Sequence, residues 1–119
     1  MSEFVFLFRT NEEDRRQAMG TPERAQQAMQ TWVAWMRDLE SKGLMKSYGK
    51  PLETRGKVVR RGSVTDGPFA ETKDIVLGFI IVEAKDLAEA AHIAQGCPFI
   101  AGQGSVEVRP VDEARASER

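Results

Sequence analysis

Apolar residues recur along this chain with two different periods, and each period predicts a different element. Near the start, Glu3-Phe-Val-Phe-Leu-Phe8 alternates so that Phe4, Phe6 and Phe8 share one face and Val5 and Leu7 the other, the two-residue period of a strand whose two faces both favour burial. A polar run from Arg9 to Gly20 has no apolar period and is expected to be a loop. Thr21-Pro22-Glu23 then supplies a hydroxyl N-cap, a proline at the first helical position and an acid at the positive end of the dipole. From there Ala25, Ala28, Met29, Trp32, Val33, Met36 and Leu39 recur at steps of three and four, which predicts a long amphipathic helix ending at Gly43.

Leu44 to Tyr48 reads as a short strand, and Lys57 to Arg60 with Ser63 to Thr65 as a small hairpin turning at Arg61-Gly62. Asp66-Gly67-Pro68-Phe69 carries turn chemistry and feeds the strongest strand, Ile75 to Val82, which again has two apolar faces. Asp86, with Glu89 three residues on, marks the start of a second helix with Leu87, Ala90, Ala91 and Ala94 on its buried side and Gly96 at its end. Ser105 to Val111 alternates Val106 and Val108 against Glu107 and Arg109 as a last strand. The order predicts an α+β, ferredoxin-like split βαβ with an extra hairpin. Residues 1–111 form the single domain, and residues 112–119 are expected to be a flexible tail. Helices would cover one sheet face, so the second apolar face of the strands predicts a homodimer packed through sheet faces into an α/β barrel.

Composition narrows the function classes. The 119 residues carry 17 basic against 18 acidic side chains, a net charge of −1, which lacks the positive footprint of direct nucleic-acid binding. The run from Ile75 to Val82 is far short of the ~20 residues that span a bilayer, so no membrane insertion is expected. One cysteine, Cys97, and no opening signal pattern fit a reducing cytoplasm.

Candidate chemistry is sparse. His92, the one histidine, has no nameable partner, and Cys97 follows a helix C-terminus, where the dipole raises a thiol pKa. One His and one Cys are too few soft ligands for zinc, and no glycine-rich phosphate loop is present, so neither metal nor cofactor is expected. Arg55, Lys57, Arg60 and Arg61 crowd the small hairpin, where charge protects strand edges. By the two-residue period Glu107 and Arg109 face away from Val106 and Val108, into the open sheet face. Asp66 and Glu71 are candidate partners for Arg109. They form either a structural ion-pair network or the polar end of a ligand cavity walled by Phe69, Phe79 and Trp35.

Asp66-Gly-Pro-Phe-Ala-Glu-Thr-Lys-Asp74 resembles the DGPFxExKE signature of the DGPF branch of the YCII-related proteins, and Cys97-Pro98 with Val106-Glu-Val-Arg-Pro-Val111 resembles that branch's closing segments. The resemblance covers about residues 3 to 111 and implies a ferredoxin-like fold that dimerises into a barrel. Other YCII-related proteins pair a His near the start of the first helix with an Asp before the proline that follows the second. Here Glu23, Arg24 and Ala25 open the helix and Cys97 precedes Pro98, so that acid–base pair is missing. The reading that results is a small homodimer binding a small molecule in its cleft, with a lyase, isomerase or hydrolase activity open to it through Asp66 as base and Phe69, Glu71, Glu107 and Arg109 as ligand contacts. The alternative, implied by the occurrence of relatives beside alternative sigma factors, is a noncatalytic regulatory module.

Overall fold

The computed structural model describes residues 1–67 and 74–117, the side chain of Glu12 excepted. Strand β1 (Ser2–Thr10) lies at the centre of a four-stranded antiparallel sheet of order β2-β5-β1-β6, with β2 spanning Met45–Pro51, β5 Ile75–Ala84 and β6 Ser105–Pro110. The two central strands are the ones that lacked a polar face. Strands β3 (Gly56–Arg60) and β4 (Ser63–Gly67) pair only with each other. With helix α2 (Pro22–Ser41) between β1 and β2 and α3 (Leu87–Ala94) between β5 and β6, the architecture is α+β with the strand order of a ferredoxin-like split βαβ. No described helix is long and apolar enough to cross a membrane.

Alternation decides what is buried. Phe4, Phe6 and Phe8 are 3% exposed or less, as are Ile80, Val82 and Ala84 on the neighbouring strand, because the register places Phe4 opposite Val82 and Phe6 opposite Ile80 on the helix side. Trp35, Met36 and Leu39 of α2 and Ala90 and Ala94 of α3 close over them. Phe8 meets Trp32 edge-on at 4.8 Å between ring centroids and Phe99 at 5.8 Å, geometries the aromatic quadrupole favours. The opposite face carries Val5, Leu7, Phe79 and Ile81, all only half-buried.

The caps follow the chemistry of the sequence. Thr21 Oγ1 accepts the Arg24 N–H at 3.1 Å and Asp86 Oδ1 the Glu89 N–H at 2.8 Å. Helix α2 ends at Gly43, whose φ of 72° lets its N–H reach the Glu40 carbonyl while the Leu44 N–H reaches Leu39. Gly49, at φ 56°, stands where β2 crosses β5 so closely that a Cβ would fall 1.8 Å from the Phe79 carbonyl oxygen.

Four expectations change. The polar run after β1 is not a loop throughout: Glu12–Ala18 is a helix, α1, seated on Asn11, whose Oδ1 accepts the Asp14 N–H at 2.7 Å. A helix without a buried face leaves no apolar period to read. Leu87, expected on the buried side of α3, is 49% exposed, and Ala91 is exposed with it, because Ala90, Ile93 and Ala94 form the face that meets the core. Asp66 and Gly67, expected to start a turn, complete β4 opposite Lys57 and Gly56. Past residue 111, where a tail was expected, Glu113–Ala116 forms one helical turn, α4, capped by Asp112, and Glu113 Oε1 accepts the Glu3 N–H at 3.0 Å.

Candidate functional site

The root of the β3–β4 hairpin and the end of the central sheet border two shallow, open hollows. A hollow of about 420 Å³ is lined by Arg9 of β1, Asp74 to Val76 at the start of β5, Glu53 to Val58, and Gly67. A second, of about 530 Å³, shares Arg55, Gly56, Lys57 and Gly67 and adds Asp66. Both volumes fall in the range of small-molecule sites. Strand geometry explains why charged groups gather here: β1, β2 and β5 end together, and past their last apolar pairs the side chains are polar.

Ion pairs edge both hollows. Lys57 Nζ donates to Asp66 Oδ1 at 2.6 Å across the hairpin, and Arg55 Nε to Glu53 Oε1 at 2.8 Å. Arg9, its side chain 28% exposed, donates from one guanidinium nitrogen to Glu107 Oε1 at 3.2 Å. The first two pairs are largely exposed, and such pairs add little to stability, so a ligand can take over their donors and acceptors at small cost.

The predicted site residues separate into groups. Glu107 and Arg109 do face the open side of the sheet, opposite Leu7 and Val5 in register. Asp66 bonds to Lys57, and no ion pair joins Arg109 to any described residue. Phe69 and Glu71 lie outside the described residues. The cavity wall expected from Phe79 and Trp35 together does not form. Phe79 is on the open face beside Leu7, whereas Trp35 stacks on Phe6 at 6.4 Å on the helix side, with the whole sheet between them. Arg9 was the residue the sequence reading passed over. It continues the phase of Val5 and Leu7 beyond the apolar run, and a cation in phase with an apolar face is a signal that could have marked it.

Cys97 is 2% exposed. Burial pushes its thiol up to about 11, partly offset by a hydrogen bond from the Phe99 backbone. The expected direction holds, but its cause is desolvation by burial rather than the helix terminus. A thiol in that state is no nucleophile at neutral pH. His92 is exposed, and no group of three or more His, Cys, Asp or Glu among the described residues could hold a metal ion.

The model of the YCII-related domain matches residues 3–115. The chain belongs to the YCII-related family. The match spans every strand of this YCII-related protein and reaches into α4. An uncharacterised protein of Rhizobium meliloti (strain 1021) is 45% identical over 49 residues, a stretch covering 40% of this chain and 40% of that relative.

Proposed function

We propose that this YCII-related protein, of the DGPF branch, is a cytoplasmic homodimer that packs the open faces of two sheets into a barrel and binds a small polar molecule beside the hairpin root. One observation carries the reading: a hollow of about 420 Å³ opens at the edge of a sheet that is covered on one side only. The chain is 20 Å thick in its shortest dimension, the depth of one sheet and one helix layer at about 10 Å each. Half-buried Val5, Leu7, Phe79 and Ile81 therefore line a face that no other described element covers, the kind of contiguous apolar surface that marks an interface.

The ligand class follows from the lining. Arginine, lysine and carboxylate groups alternate around an apolar floor of Ile75, Val76 and Val58, so the ligand carries a polar or anionic group on a small apolar frame. Arg9 and Lys57 serve as donors, whereas Arg109, opposite Val5 four residues along β1 from Arg9, is not part of the lining. Asp66, exposed and held by Lys57, is a ligand contact in this reading.

A metabolite thermal-shift screen tests the proposal. A ligand at 100 times its Kd adds about 2.7 kcal/mol, or a Tm rise of roughly 10 °C. Asp66→Asn and Lys57→Met, both at exposed lining positions, should leave the fold intact and abolish that rise. Unchanged affinity in both variants overturns the site.

A further inference from the structure

We propose that the β3–β4 hairpin is an intersubunit arm whose tip docks on the acidic end of a second copy's open sheet face. The inference rests on the dimer of the preceding reading and assigns a role to a feature that reading leaves unused. A hairpin of two five-residue strands is marginal in water without a surface to pack on, and this one pairs with no other strand and has no extensive contact with another described element. Its cross-strand pair Val59 and Val64 is nevertheless apolar, 73% and 65% exposed. Beside that pair the turn carries Arg61, exposed and without an ion-pair partner among the described residues.

The complementary surface lies on the same chain. Glu3 and Glu83 stand directly opposite each other on the open face, a like-charge cross-strand pair that is destabilising unless cations offset it. Glu113 adds a third carboxylate through its bond to the Glu3 N–H. Lys46, its Nζ 3.9 Å from Glu3 Oε2, offsets part of that charge. An arm cannot reach this acidic end of its own subunit. The hairpin is rooted at the Thr10 and Ile75 end of the sheet, the nine residues of β1 span about 30 Å, and five-residue strands extend about 17 Å. A two-fold axis lying across the strands reverses their direction in the second copy, which carries each arm to the acidic end of the other sheet. Arg61 then faces the Glu3–Glu83 pair, and the Val59–Val64 pair meets the apolar face beside it.

Charge reversal tests this in the full-length protein. Arg61→Glu and Glu83→Lys should each raise the dimer Kd about tenfold at low salt, since a two-fold axis counts each contact twice, and the two together in one chain should bring it back to within about threefold of wild type. Mild oxidation of a mixture of Arg61→Cys chains and Glu83→Cys chains should yield a disulfide-linked heterodimer, with buried Cys97 inert. A wild-type dimer that neither single reversal weakens, or in which the double change is as weak as the two singles combined, overturns the arm and leaves the sheet-face dimer standing. A wild-type monomer overturns both.

Discussion

Replacing Ile81 by aspartate separates assembly from folding, because the register puts Ile81 opposite Val5 on the open face while its neighbour Ile80 is 1% exposed against the helices. In a lone chain, Ile81→Asp alters a half-exposed strand position, and differences in strand propensity span about 1 kcal/mol. In a sheet-face dimer the same change removes apolar contact and buries a carboxylate with no partner, a cost of several kcal/mol. Two-fold symmetry applies it at both copies. Taking only about 2 kcal/mol per copy gives about 4 kcal/mol per dimer, a rise in Kd of roughly a thousandfold. Sedimentation equilibrium reads the association and guanidinium unfolding reads the fold. Ile80→Ala supplies the reverse pattern: a cavity in the core costs about 2–5 kcal/mol and leaves the open face unaltered. If Ile81→Asp associates as tightly as wild type, the open face is not the interface.

Other consequences are independent of assembly. The Cys97 thiol, raised from its ordinary 9.0 to about 11 in the folded chain, makes the unfolded state bind fewer protons between those values. Stability is therefore full below about pH 9 and declines as pH rises through 11, by at most about 3 kcal/mol; Cys97→Ala should flatten that part of a denaturation-versus-pH curve. Gly49→Ala should prevent folding or cost more than about 3 kcal/mol, since the new Cβ collides with the Phe79 carbonyl. Gly43→Ala, at a similar positive φ but in open space, should cost only about 1–2 kcal/mol in the same melt. Asp66→Asn removes an exposed pair with Lys57 and should shift Tm by no more than about 2 °C.

The elements that could be read from the sequence were those whose signal is local and repeated. Phe4, Phe6 and Phe8 share a face because strand geometry allows nothing else, and Thr21, Asp86 and Gly43 mark helix ends through backbone groups within a few residues of themselves. Helix α1 escaped because its support is one reciprocal pair, in which the Asn11 side chain accepts the Asp14 N–H and donates to the Asp14 carboxylate at 2.7 Å, with no buried stripe to announce it. The site was harder for a related reason. Lys57 and Asp66 meet through a hairpin register, and Arg9 and Glu107 through strands 98 residues apart; neither pairing has a sequence period. Trp35 shows the opposite failure. As an apolar residue it fitted a cavity wall or a core equally well, and only the placement of α2 on the phenylalanine face resolved it.

In the proposed assembly the open sheet face lies between two copies of the chain, with the ligand hollow at its edge. Sedimentation equilibrium of the wild-type protein at micromolar concentration tests it most directly. A sheet-face dimer gives a single species of about 27 kDa, twice the 13.3 kDa of the chain. A well-folded species of 13.3 kDa under those conditions would contradict it.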